Sequence, residues 1–128
     1  MNYCLTYFSV IYDKNFDMID FCDKLNLDYE YLKKFGTDVS MEIGRNEDYD
    51  VDINKMVRVT LKDLFGKEDI LVMLKNKYNL EYYLERVPCI YSDSIHPILS
   101  LDYDILEFLY KSKTVDDLYY YIYDNINQ

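Results

Sequence analysis

Tyr3-Cys-Leu-Thr-Tyr-Phe-Ser-Val-Ile-Tyr12 opens the chain with a run that is almost entirely aromatic, β-branched or apolar. Cys4, Thr6, Phe8 and Val10 alternate with Tyr3, Leu5, Tyr7, Ser9 and Ile11, and neither set carries a charge. Successive side chains of a strand point to opposite faces, so a stretch uncharged on both reads as a central strand buried on both sides. A sheet therefore forms the middle of the fold, and the rest of the chain is read against it.

Beyond the turn residues Asp13 to Asn15, Met18, Phe21, Cys22 and Leu25 recur at helical spacing with Asp17, Asp20, Asp23 and Lys24 opposite, which predicts an amphipathic helix. Tyr29 to Glu42, with apolar patches around Gly36, predicts one or two short strands, and the polar stretch Gly44 to Asp52 a solvated loop or edge. Val57, Val59 and Leu61 alternate with Arg58, Thr60 and Lys62 as in a half-buried strand. Gly66 precedes a second helix over Lys67 to Lys77 with Leu71, Leu74 and Tyr78 inward. Leu80, Tyr82 and Leu84 begin a strand that continues to Tyr91, with Pro88 placing it at an edge or a strand end. Asp102 caps a third helix carrying Leu101, Ile105, Phe108, Leu109 and Ser112 on one face. Leu118, Tyr120 and Ile122 then alternate with Tyr119, Tyr121 and Tyr123 in a closing strand whose first set faces the core. Burial of the second set under a helix is the expected outcome, and its exposure would offer an interface anchor. The fold class is α+β: one domain over residues 1–128, a mainly antiparallel sheet of about five to six strands, and three helices packed on it.

Composition narrows the function classes. Tyr supplies 16 of 128 residues while Trp is missing, a usage that suits half-buried sheet faces and interfaces. The coding bias of an AT-rich genome yields the same surplus. It does not yield a formal charge of −10, because it enriches Lys as readily as Asp. Twenty-four acidic against 14 basic residues argue against binding nucleic acid or an anionic membrane, and favour a basic protein partner. Cys4, Cys22 and Cys89 read as buried thiols of a reducing compartment. With no leader-like opening and no spanning apolar run, the chain reads as cytoplasmic.

No catalytic constellation emerges, and the chain reads as a non-enzyme without cofactor or metal. His96 is the single histidine, and its place before Pro97 reads as loop structure; with Cys89 and Asp93 it falls short of a four-ligand zinc site. Asp48, Asp50 and Asp52 alternate as in a calcium loop, but Ile53 stands where that loop needs Gly and Val59 where it needs Glu. The three glycines are too far apart for a phosphate cradle.

The opening strand with the helix from Phe16 to Leu27, the stretch His96-Pro-Ile-Leu-Ser-Leu-Asp-Tyr-Asp-Ile-Leu-Glu-Phe-Leu109 and the ending Val115-Asp-Asp-Leu-Tyr-Tyr-Tyr-Ile-Tyr123 resemble the bacterial domain of unknown function 4279 family over most of the chain. Family members usually carry a tryptophan in the middle segment, where this chain has none. The resemblance implies no catalytic residues. Small acidic proteins of this kind are similar in bearing to immunity proteins that neutralise toxins of competing bacteria, and to phage inhibitors of host defence. The expectation is an immunity or inhibitor protein that covers a basic site on a toxin or nuclease through Glu47, Asp48, Tyr49, Asp50 and Asp52, with Asp116, Asp117 and Tyr119. An inhibitor that imitates nucleic acid, a ligand-binding domain and a homodimer paired through an edge strand are the alternatives.

Overall fold

A computed structural model describes residues 2–49, 51–91 and 97–123. The chain runs β1 (Tyr3–Ile11), α1 (Met18–Leu25), α2 (Tyr29–Lys33), β2 (Ser40–Asp48), α3 (Ile53–Leu61), α4 (Glu68–Tyr78), β3 (Glu81–Tyr91), α5 (Tyr103–Ser112), β4 (Val115–Leu118) and β5 (Tyr121–Tyr123). The architecture is α+β, with a five-stranded sheet in the order β2-β1-β3-β4 and β5 also on β3.

β1 is central, as its sequence predicts, and antiparallel to both neighbours. The sheet is nevertheless mixed, because β4 and β5 run parallel to β3. A parallel neighbour needs a crossover, and α5 supplies it between β3 and β4. Pro88 lies inside the eleven-residue β3 rather than at its end. β4 pairs only as far as Arg86 and β5 only from Cys89, so Pro88 sits in the gap between them, where no ladder partner is missed.

Helices among the described residues number five rather than three. Of the segment Tyr29 to Glu42, expected to form short strands, the first part instead makes α2, started by Asp28, whose carboxylate accepts from the Tyr31 N–H at 3.2 Å, while its end from Ser40 is strand, the start of β2. The alternation of Val57, Val59 and Leu61 is a helix as well. Asp52 caps it, accepting from the Lys55 N–H at 3.3 Å, and its inward stripe is Ile53, Met56, Val57, Thr60 and Leu61, the spacing of a 3.6-residue turn. Val59, expected inward, is 46% exposed.

Cys4, Phe8, Val10, Met41, Ile43, Tyr82 and Leu84 form the inner face of the sheet, and the buried apolar residues of all five helices join them in one core cluster. Tyr82 closes one end by donating its hydroxyl to the Leu71 carbonyl at 2.7 Å. Arg86 is the one charged residue in that interior among the described residues, 5% exposed. Its guanidinium grips Asp116 through Nε at 2.8 Å and Nη2 at 2.6 Å, and donates Nη1 to the Leu99 carbonyl at 2.6 Å, which ties β3, β4 and the approach to α5 together.

α3 is fixed to the sheet at one point of very close approach. Thr6 and Thr60 hydroxyls lie 2.7 Å apart, and Thr60 donates onward to the Gly44 carbonyl at 2.8 Å. Gly44 has φ of 68°, and a Cβ there would stand 2.1 Å from the Thr60 carbonyl oxygen. The same residue makes a bulge. Thr6 pairs with Asn46 and Phe8 with Ile43, so Tyr7 alone faces both Gly44 and Arg45. Gly44→Ala is expected to cost about 3 kcal/mol or more, seen as a lowered urea midpoint, since both backbone strain and backbone overlap must be relieved. Asp116→Ala, which strands the buried guanidinium, should cost about 3–5 kcal/mol in the same measurement.

Candidate functional site: the open sheet face

With every helix gathered on the inner face, the other side of the sheet is left to solvent among the described residues. It carries Tyr3, Leu5 and Tyr7 of β1 and Tyr83, Glu85, Val87, Cys89 and Tyr91 of β3, all half-buried by one another. β1 is thus buried on one face only, contrary to the sequence reading, because Tyr and Leu suit a mutually covering aromatic surface as well as a core. Cys89 is half-exposed on this face, whereas Cys4 and Cys22 are buried thiols, each pushed by burial up to about 11.

The bulge at Gly44 decides which β2 residues join this surface. Glu42 faces outward beside Ser9 and Ile43 inward beside Phe8; strict alternation would turn Arg45 and Glu47 inward. The extra residue opposite Tyr7 reverses that parity, and Glu47 pairs with Leu5 on the open face. Arg45 lies over the Tyr7 ring, 5.8 Å from its centroid, and bonds Glu42 at 2.9 Å and Glu47 at 3.0 Å.

At the β3–β4 side, Glu85 stands opposite Asp117 in register. Burial, then the hydrogen bond to Asp117 and its charge, push the Glu85 carboxyl up to about 7. Tyr7 is raised by burial first and then by Glu85 and Glu42, and Tyr119 chiefly by Asp117 and Glu85, so these phenols stay protonated donors in an acidic field. Toward the other end, Tyr3, Glu47, Tyr49, Cys89, Tyr91 and Tyr123 line a shallow aromatic cup, with Tyr3 and Tyr49 rings 5.5 Å apart and Tyr91 and Tyr123 rings 5.7 Å apart.

The residues singled out in the sequence divide between two faces. Glu47 and Tyr49 lie at the β2 side of the open face, and Asp117 and Tyr119 at its β4 side. Three strand spacings separate the two groups, about 14 Å. Asp48 pairs with Cys4, an inner-face position, Asp52 is the α3 cap, and Asp116 is committed to Arg86. Asp50, Asp93 and His96 lie outside the described residues. Leu118, Tyr120 and Ile122, expected to face the core, are exposed, as are Tyr119, Tyr121 and Tyr123. Sequence reading missed Tyr7, Tyr83 and Glu85; for the last two the signal is the alternation of β3, with an aromatic and a carboxylate on its outer positions.

Among the described residues no three His, Cys, Asp or Glu side chains converge as metal ligands, and no helix is long and apolar enough to cross a membrane. The face is chemically a surface of tyrosine rings and hydroxyls edged by carboxylates.

The Glu85 shift has a stability consequence. Between about pH 4.5 and about pH 7 the folded chain holds a proton that the unfolded chain has released, so stability declines as pH rises through that window and levels off above it. Glu85→Gln should raise the urea midpoint at about pH 8 by the equivalent of about 1 kcal/mol, after discounting for solvent screening, and leave it unchanged at about pH 4. No protein-family model, curated protein or solved structure matches this chain, so its function is argued from this face.

Proposed function

We propose that the protein acts by binding, as a small acidic immunity or inhibitor protein whose open sheet face covers a basic functional site on another protein. The observation that carries this reading is the face itself: a tyrosine surface, uncovered by any helix among the described residues, edged by Glu42, Glu47, Glu85 and Asp117. Tyrosine supplies large contact area at low entropic cost together with a hydroxyl for hydrogen bonding, which is why it anchors interfaces. The carboxylates accelerate encounter with a basic partner and oppose like-charged ones.

Self-pairing through this face is disfavoured by charge, since a second copy carries the same formal charge of −10. Direct binding of nucleic acid is opposed by the formal charge of −10. Inhibition would be steric, by occlusion of the partner's site.

Tagged protein carrying Tyr7→Ser with Tyr83→Ser tests the reading against wild type. Wild type is expected to retain a basic protein from cell extract that elutes with rising salt and loses its own activity when the complex forms. The double variant, which stays folded by circular dichroism because both residues lie outside the core cluster, should weaken that complex at least about thirtyfold, the effect of losing two interface anchors. Equal retention by both proteins would place the contact elsewhere, and competition by added DNA or RNA for the captured protein would redirect the reading to imitation of nucleic acid.

A further inference from the structure

Glu85 and Asp117 stand side by side where a sheet ordinarily keeps like charges apart. They are in register on adjacent strands, and directly opposed like charges destabilise a sheet. Burial and the neighbouring Asp117 carboxyl favour a proton on Glu85. Among the described residues neither forms an ion pair with Lys or Arg, although each arginine of this chain is gripped by carboxylates: Arg45 by Glu42 and Glu47, Arg58 by Asp102 and Asp104, Arg86 by Asp116. The groups that face Glu85 are Tyr7 from β1, Asp117 from β4, Tyr119 beyond β4 and Tyr83 on its own strand. Arg45 reaches the Tyr7 ring from β2 and is held there by its own two glutamates.

That arginine shows how this surface takes a cation. A guanidinium is laid over a tyrosine ring and fixed by a carboxylate on each side. On the β3–β4 side the carboxylates and the rings are present, and no Lys or Arg among the described residues forms an ion pair with them.

We propose that the open face docks an extended basic segment of a partner protein, with one Arg or Lys side chain of that segment seated on Glu85 and Asp117 between Tyr7, Tyr83 and Tyr119. This rests on the reading of the face as a protein-binding surface and names the chemistry it selects. In the free protein Glu85 holds a proton below about pH 7, kept there by burial beside Asp117. The arriving cation stabilises both carboxylates, so the proton leaves to solvent and the site carries two negative charges against the one positive charge bound. Binding is therefore coupled to release of one proton. Burial beside Asp117 sets that exchange near neutral pH, and affinity falls by up to about tenfold for each pH unit below it. Charge complementarity selects this occupant over a second copy, whose formal charge of −10 opposes the approach of another acidic face, and over nucleic acid, whose phosphates the carboxylates repel.

The test uses a synthetic Val-Arg-Val-Arg-Val peptide as the probe, with citrulline in place of arginine as its neutral control. Calorimetry in buffers of different ionisation heat reads both affinity and protons exchanged. The expected result is binding of the arginine peptide alone, release of about one proton at about pH 6, and affinity about tenfold tighter at about pH 8. Glu85→Gln combined with Asp117→Asn should weaken the peptide at least about tenfold and abolish proton release. Asp63→Asn with Asp69→Asn removes the same number of carboxyl groups from exposed positions away from this face, and should bind as wild type does. Equal affinity in the two double variants, binding without proton release, or no binding by wild type would each overturn the proposal. A dimer in sedimentation that the peptide cannot dissociate would overturn it in favour of a second copy. Peptide binding by a protein that captures no cellular partner would support this inference and sink the inhibitor reading alone.

Discussion

The approach of Gly44 to the backbone of Thr60 is the constraint on which the rest of the structure depends. It seats α3 against β1 and β2 closely enough that no side chain fits between them, and the Thr6–Thr60–Gly44 hydrogen-bond chain satisfies the polar groups this buries. A positive φ at Gly44 also inserts the extra residue opposite Tyr7. One residue thus fixes the helical layer on one side of the sheet and sends Arg45 and Glu47 to the other, so the inner packing and the outer chemistry share a single geometric cause.

The distribution of charge follows from an excess of carboxylates over basic groups and from where the arginines are held. All three arginines are locked: Arg86 in the interior with Asp116, Arg58 across α3 and α5 with Asp102 and Asp104, Arg45 on the open face with two glutamates. Asp20 likewise gathers Lys24, Lys77 and the Tyr78 hydroxyl, which join α1 to α4 and hold its carboxyl well below the usual range. The arginines are therefore spent within the fold, and the excess of carboxylates over basic groups is left to define the field around the tyrosine face.

Elements with a long, regular period were legible in the sequence. The stripes of α1, α4 and α5 and the outer alternation of β1 and β3 are local patterns, and Asp102 marks the start of α5. α3 was not, because Val57, Val59 and Leu61 imitate a strand over a short window; the wider set Ile53, Met56, Val57, Thr60 and Leu61 and the cap at Asp52 carry the helical period. Parallel pairing of β4 and β5 depends on where α5 returns the chain, which no local pattern encodes. For the site, Glu47, Tyr49, Asp117 and Tyr119 were legible from the mingling of acids and aromatics. Glu85 was not, since only the register with Asp117 distinguishes it from any solvent-facing strand residue.

The interruption between β4 and β5 has a consequence for how this protein behaves when concentrated. An exposed strand edge is a row of unpaired backbone groups that invites other chains to add to it and grow into fibrils. Here one border of the sheet is split into strands of four and three residues around Pro88. The other border, β2, is closed at its start by the bridge from Gly36 to Met41 and distorted at Gly44. Neither border offers the long, flat template that templated growth requires. A chain rich in tyrosine and aliphatic residues is thereby protected from self-templated assembly by the geometry of its edges, as well as by its charge.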